Sequence, residues 1–304
     1  MTTKWASLIG KFLYEHNLTT FKGYKSNSDF PGVGVAVCNS NFDGGIIEAE
    51  LDFENIGHGT ACQIIVSHSS HEFVTAGLTS SSDGSPSGMY YIGMFSNQRW
   101  NSLAVSGDSQ NLTPGVKYNL KVEVKGSLVH LKVNDVLVLS AIVPQIRPRS
   151  QVGIYCTSAY DVFIRNFAIT QERARAFVVM QFSSPYNEIY EDVIKEVCSQ
   201  NRLTACRADD TYLPGLILGD IVQQIKEAKI IIADISKPNS NVYYEVGYAH
   251  ALNKPCVLLA EKGTQLPFDV SAFRVLFYEN TIPGKSRLQD SLTRYLDEIL
   301  TRSL

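Results

Sequence analysis

Glu245 is the residue of this chain best placed to do chemistry. It stands in NVYYEVGYAHA (residues 241–251), flanked by Tyr243, Tyr244 and Tyr248, with Gly247 and Ala251 thinning the segment enough for a ligand to approach. Val242, Val246, Ala249 and Leu252 recur at helical spacing and point to a core, which puts Glu245 and Tyr248, one turn apart, on a neighbouring face. A helix starting near Asn241 has Glu245 in its first turn, close to the positive end of the helix dipole. The expectation is an ionised carboxylate, suited to trap or stabilise a cation rather than to act as a general acid. Acidic residues also occupy first turns for purely structural reasons. The clustered tyrosines and the Asp-tipped segment ahead of it distinguish Glu245 from such a residue.

The elements that would position Glu245 follow from the same stretch. An apolar run at residues 230–233 ends in Asp234, a Ser/Pro/Asn turn follows, and a second apolar run at 256–260 comes after the helix, giving strand, loop, helix, strand. In an open parallel sheet such a unit leaves its first loop and the helix N-terminus at the carboxyl edge of the strands, where ligands usually sit. Asp234 at that edge either orients a ribose hydroxyl or caps the turn after it. Residues 176–180 (AFVVM) read as another buried strand, followed by a loop that begins Gln181, Phe182. RADD brings Arg207 and Asp209 to the end of a short edge strand, where Arg207 can meet a diphosphate. Tyr244 and Tyr248 can stack on a planar ring. Strands also read at 204–207 and 273–277, with helices at 189–196, 216–228 and 287–302. The alternation gives an α/β doubly wound parallel sheet of about five strands over residues 174–304.

Residues 21–172 read differently. Short alternating segments such as GVGVAVC (32–38), GIIEAELDF (45–53) and YNLKVEVKGSLVHLKV (118–133) are separated by Gly, Asn, Asp and Ser, and helical periodicity is absent. That is an all-β jelly-roll sandwich. Glu48, Glu50, Asp52 and Glu54 form a carboxylate row, and alternation puts it on the outward, solvated side of its strand. His68 and His71 lie three apart without a third ligand nearby in sequence. The polar loop at 79–88 sits where a sandwich commonly binds. Trp100 and Tyr90 or Tyr91 either stack on a sugar or base or pack in the core. Residues 1–20 carry an apolar pattern at Trp5, Leu8, Ile9, Phe12 and Leu13 that suits a short amphipathic helix, and Lys4 and Lys11 separate it from a signal peptide.

Composition bounds these readings. The 304 residues suit two domains, and 44% hydrophobic with 19% charged residues is ordinary for globular cores. A net charge of -3, with neither half basic, offers no electrostatic footprint for nucleic acid or an anionic membrane. The 6 cysteines are scattered without zinc-type spacing and read as free thiols. No run approaches the roughly 18 apolar residues of a membrane span, so the expected location is the cytoplasm.

Two resemblances follow from these residues. GIIEAELDF, TPGVKYNLKVEVKGSLVHLKVND and RSQVGIYCTSAYDVFIRNFAIT resemble the concanavalin A-like lectin and glucanase superfamily, which implies a sensing or assembly domain whose ligand is a carbohydrate, a nucleotide or a phage-derived molecule. FVVMQF, RADD, PGLILGDIVQQIKEAKIIIADIS, NSNVYYEVGYAHALNKPCVLL and PFDV resemble the Toll/interleukin-1 receptor (TIR)-like domains of bacterial defence effectors and the related nucleoside 2-deoxyribosyltransferases. The transferases have an Asp and a Gly in the turn before the helix; here it reads Pro238, Asn239, Ser240, Asn241. This second resemblance implies cleavage of an N-glycosidic bond at C1′ of a ribose, with Glu245 catalytic. Gln181, Phe182, Arg207, Asp209, Asp234, Asn241, Tyr244 and Tyr248 would bind substrate. The expected activity is release of nicotinamide from NAD, with a linear or cyclised ADP-ribose product, by an anti-phage effector that works as a homo-oligomer, NAD being substrate and no cofactor being needed. Deoxyribosyl transfer and a non-catalytic nucleotide- or carbohydrate-binding module remain the alternatives.

Overall fold

Period-two alternation in the first half becomes strands throughout. The computed structural model describes residues 4–26, 30–80, 88–144, 146, 149–208, 217–271 and 273–301. The chain divides into two compact units, Met1–Val124 with Leu128–Glu172, and Lys125–Ser127 with Arg173–Leu304. In chain order the first half carries β1 (Trp5–Ile9), β2 (Phe12–Tyr14), β3 (Leu18–Phe21), β4 (Gly32–Phe42), β5 (Gly45–Phe53), β6 (Ala61–His68) and β7 (Phe73–Thr79). It continues with β8 (Tyr90–Ser96), β9 (Arg99–Ser106), β10 (Tyr118–Lys125), β11 (Leu128–Val133), β12 (Val136–Ile142), β13 (Ser150–Ser158) and β14 (Val162–Gln171). They form two seven-stranded sheets, β1-β4-β13-β6-β7-β8-β9 and β12-β11-β10-β5-β14-β3-β2, a jelly-roll-like all-β sandwich.

The sandwich core is made by every second residue. Ile47, Ala49, Leu51 and Phe53 of β5 are buried against Ile64, Ile92, Leu120 and Val122. The intervening carboxylates face cations on neighbouring strands: Glu48 meets Lys121 at 3.0 Å, Glu50 meets Lys117 at 3.0 Å, and Asp52 meets Arg165 at 3.4 Å. Such cross-strand pairs are a solvated, charge-balanced face of the sheet.

Among the described residues the N-terminal helix expected over residues 1–20 is not formed. The segment is β1, β2 and the start of β3, with β1 antiparallel to β4 and β2 antiparallel to β3. Gly10, at φ +73°, breaks it, and a Cβ there would lie 2.7 Å from the Val33 carbonyl oxygen. Only Phe12 of the apolar pattern is buried and Trp5 packs at the core margin, while Leu8, Ile9 and Leu13 stay exposed. Available edges on β4 and β3 satisfied the backbone, where a helix of this length would have had to stand on one weak apolar stripe.

The second unit runs β15 (Ala174–Val179), α1 (Tyr186–Ile189), a π-helical turn at Tyr190–Ile194, α2 (Lys195–Gln200), β16 (Leu203–Arg207), α3 (Ile217–Glu227) and β17 (Ile230–Asp234). It ends with α4 (Ser240–Ala251), β18 (Cys256–Glu261), α5 (Phe268–Ser271), β19 (Val275–Tyr278) and α6 (Ile282–Thr301). The strands are parallel, in the order β16-β15-β17-β18-β19. Helices cover both faces: Val178, Ile230, Ile232 and Leu259 pack on Ile189, Val193, Leu292 and Leu296, and Phe177, Val179, Ile231 and Ala233 pack on Ile225, Val242, Val246 and Ala249. Burial on both sides is why these strands are continuous apolar runs. α6 starts five residues earlier than the pattern suggested, because Pro283 in a first turn has no N–H to waste. Chain order reverses between β15 and β17, which makes their carboxyl ends the crevice of the sheet. Among the described residues no helix is long and apolar enough to cross a membrane.

Candidate functional site

Most of the residues singled out in the sequence stand at or just beyond the carboxyl ends of the parallel strands or on α4, which follows β17. β15 leads into Gln181 and Phe182, β16 ends in Arg207, β17 ends in Asp234, and α4 rises directly from the loop after β17. Asp209 lies outside the described residues.

α4 is capped by Asn239, whose side chain accepts a hydrogen bond from the backbone N–H of Asn241 at 3.0 Å. That cap starts the helix at Ser240 and places Glu245 in the second turn, beyond the strongest part of the helix dipole. Val242, Val246 and Ala249 hold the helix on the sheet, and Glu245 is left half-buried beside them. It makes no hydrogen bond or ion pair among the described residues. Burial therefore acts on it uncompensated and pushes its carboxyl up to about 7. This corrects the expectation of a fully ionised group: desolvation outweighs the dipole once the residue sits a turn further in. Tyr248, one turn on, is half-buried against the apolar cluster, Tyr244 is 54% exposed, and Asn241 is exposed at the helix start.

Asp234 caps the turn. Its Oδ1 accepts the Ser236 backbone N–H at 2.9 Å and the Ser236 hydroxyl, and its Oδ2 accepts the Tyr278 hydroxyl at 2.7 Å. Ser236 Oγ in turn accepts the Glu261 N–H at 2.7 Å, so the ends of β17, β18 and β19 are tied together at the base of α4. Burial raises the Asp234 carboxyl against these hydrogen bonds. Tyr186 is raised by burial and by the negative charges of Asp234 and Glu261, which places it on the same edge.

Arg207 is only 7% exposed. Its guanidinium carbon lies 4.4 Å from the Tyr190 ring centre and 4.9 Å from that of Phe182, and Nη1 donates to Asn187 Oδ1 at 2.8 Å. Gln181 is partly exposed next to Phe182. Tyr278, Ser236, Tyr186, Tyr190 and Asn187 carried no signal in the sequence, since each is an unremarkable member of its own strand or helix and meets the site only through folding.

A second surface lies on the sandwich, on the side of β6, β7, β8, β9 and β13 that faces away from the core. The Trp100 ring is 5.0 Å from Tyr155, 5.4 Å from Phe73 and from Phe95, and 6.2 Å from Tyr91. Trp100 is 38% exposed. Polar groups lie on the same side: Thr75 donates to Gln63 Oε1 at 2.6 Å, and Ser102 donates to the Tyr91 hydroxyl at 3.3 Å. Tyr90 packs at the core instead. His68 stacks on Phe73 at 6.1 Å, and burial lowers its imidazole; among the described residues no three metal-ligating side chains gather.

No protein-family model matches the sequence, and no curated protein matches it. Solved structures do. The chain is similar to a carbohydrate-binding module, CBM66 from Bacillus subtilis, at 13% identity and TM-score 0.44, over 54% of this chain and 92% of that one. It is similar to the exoplasmic/lumenal domain of VIP36 in its Ca2+/Man3GlcNAc-bound form at 10% identity and TM-score 0.37, over 55% of this chain and 86% of that one. It is also similar to a CMP N-glycosidase of Clostridium botulinum at 18% identity and TM-score 0.33, over 40% of this chain and 98% of that one. At these identities the likeness concerns the course of the chain and assigns no ligand or activity.

Proposed function

We propose that the C-terminal unit is a TIR-like N-glycosidase that cleaves the bond between C1′ of a ribose and a cationic base, with NAD as substrate and nicotinamide as product. The observation that carries this reading is Glu245: a half-buried carboxyl with no hydrogen-bond or ion-pair partner among the described residues, on the helix that follows the carboxyl end of β17, where structural carboxylates are ordinarily paired. In the reaction the C1′–N bond breaks and its electron pair returns to the pyridinium nitrogen, so nicotinamide leaves neutral and no general acid is required. The oxocarbenium-like C1′ is stabilised by the Glu245 carboxylate or trapped as its ester; a water oxygen then bonds to C1′, any C1′–Glu245 bond breaking with its electron pair returning to the carboxylate, while a water proton passes to solvent. A cationic pyridinium bound beside Glu245 favours the ionised form, so the substrate itself readies the group. Asp234 and Tyr278 act beneath this site by fixing the loop from which α4 rises. The test is nicotinamide release from NAD by the purified chain, with Glu245→Gln as control; full activity in that variant would rule the mechanism out.

A second reading concerns the sandwich and rests on Trp100. An exposed indole braced by four other rings, with the exposed Ser102 beside it, is an arrangement that can stack a sugar ring and hydrogen-bond one of its hydroxyls, while Gln63 and Thr75, buried and bonded to each other, support the strands beneath. The sandwich is accordingly proposed as a carbohydrate-binding module. Glycan-array binding that Trp100→Ala abolishes would support it, and unchanged binding in that variant would place the ligand elsewhere.

A further inference from the structure

We infer that Cys62 and Cys156 form a disulfide between β6 and β13 of the sandwich, closing when the dithiol meets an oxidised low-molecular-weight thiol such as glutathione disulfide. The two residues sit directly opposite each other in the antiparallel pairing of β13 with β6, and both belong to the sandwich core. Both are free thiols in this structure, their sulphurs 3.6 Å apart, with the Cys156 thiol donating to Cys62 Sγ. Opposite residues of an antiparallel pair have Cα atoms about 4.5–5.5 Å apart, inside the range of roughly 4.4–6.8 Å that a disulfide spans. The backbone spacing already suits the bond, so closing the sulphurs to about 2.05 Å falls to rotation about the Cα–Cβ bonds. Cys206 and Cys256 turn to backbone carbonyls instead, those of Ala176 and Lys254.

In the closing reaction one cysteine thiolate attacks a sulphur of glutathione disulfide and releases a glutathione thiolate. The second attacks the mixed disulfide, forms the Cys62–Cys156 bond and releases the other. Two electrons pass from the cysteine sulphurs to glutathione, and the two cysteine protons end on the glutathione thiols. Burial decides when this happens. Cys62 and Cys156 are 1% and 0% exposed, and burial, followed by the neighbouring Cys62, holds the Cys156 thiol well above its ordinary value. The packed dithiol offers little access and little thiolate, so the exchange belongs to the folding chain or to an opened sandwich, and the closed core preserves the state in which it packed.

The next register pair along the same strands is Tyr155 with Gln63, whose side chains lie on the other side of the sheet, and the Tyr155 ring is 5.0 Å from Trp100. β13 and β6 are interior strands of their sheet, so the bridge fixes the backbone under the ring-bearing face. That effect on the face rests on the carbohydrate reading above, and the bond itself does not.

The experiment refolds the full chain from urea in oxidised or in reduced glutathione, blocks the remaining thiols and maps cross-links by mass spectrometry of unreduced digests. In the oxidised sample the peptides of Cys62 and Cys156 are joined with the loss of two hydrogens, while Cys38, Cys198, Cys206 and Cys256 take the blocking reagent. Trp5 and Trp100, the two tryptophans of the chain, both lie in the sandwich and report its unfolding. A bridge between residues 94 apart in the chain raises the thermal midpoint they report by about 5–10 °C over the reduced form. Cys156→Ala removes both the link and the rise; should that variant fail to fold, the map of the wild-type chain decides. Native chain whose Cys62 and Cys156 stay blockable in oxidised glutathione overturns the inference. So does a link among the other cysteines in its place, or a Cys62–Cys156 link confined to chains that have lost their sheet signal. Hydrogen exchange at the peptides carrying Gln63 and Tyr155 slows in the bridged form, and unchanged exchange there overturns the effect on the ring-bearing face. Failure of the glycan-array test removes the carbohydrate reading and leaves the cross-link map to stand or fall by itself.

Discussion

At Glu245 the proposed activity and the stability of the chain pull in opposite directions. Its carboxyl moves from 4.5 to about 7 on folding, so the folded state holds the proton more tightly than the unfolded chain. That contribution is full below pH 4.5 and is lost as pH rises through about 7. Gln carries no charge to desolvate. Glu245→Gln is therefore expected to be more stable than wild type at pH 8 by about 1–2 kcal/mol, after allowance for solvent screening of a group that is not fully buried, and equally stable at pH 4. Thermal unfolding at the two pH values checks this. The same variant loses about 10²–10³-fold in nicotinamide release. Activity in wild type, read as kcat/KM, rises with pH through about 7 and then levels, because the carboxylate is the working form. A fall over that range would mean that Glu245 works as an acid, which fits an ordinary nucleobase as leaving group better than nicotinamide.

The strand-loop-helix that carries Glu245 depends on a network reaching to the far edge of the sheet. Tyr278 in β19 lies 44 residues from Asp234, and its hydroxyl serves the one Asp234 oxygen that Ser236 does not reach. Tyr278→Phe leaves that oxygen buried without its donor and is expected to destabilise the C-terminal unit by about 1–3 kcal/mol, read from urea unfolding of the full chain. If the network positions α4, the same variant also lowers kcat without moving the midpoint of the pH profile near 7. The cap works similarly from the other side. Asn239, an ordinary turn residue in the sequence, decides by one helical turn whether Glu245 feels the dipole or the apolar packing.

For the whole molecule, the proposal joins a ring-stacking sandwich to a glycosidase unit that works as an assembly. Nicotinamide release is expected to rise faster than linearly with protein concentration, in step with the mass seen by light scattering. Activity strictly proportional to concentration, from a monomer, would remove the assembly from the account. A glycan recognised through Trp100 is expected to shift that concentration dependence, and Trp100→Ala to abolish the shift while leaving unliganded release as in wild type.

What could be read along the chain was periodicity. Alternation marked strands such as β4, β5, β10 and β11, while β7, β9 and β12 went unread, and the apolar runs of β15, β17 and β18 with helical spacing between them foretold a parallel sheet, because each pattern is a local consequence of which faces are buried. Alternation also sent Glu48, Glu50 and Asp52 outward, where their cations stand. Glu245 and Arg207 were legible as candidates by position at the ends of their elements. Tertiary structure alone decided that residues 5–14 would be strands, since free edges on β4 and β3 outweighed a weak helical stripe. It also decided that Asp234 would be taken up by Ser236 and Tyr278. It moved Trp100 and Tyr91 to the side away from the core and kept Tyr90 inside. Above all it set the ionisation of Glu245, because a pKa depends on which atoms exclude water from a group, and those atoms come from parts of the chain that only folding brings together.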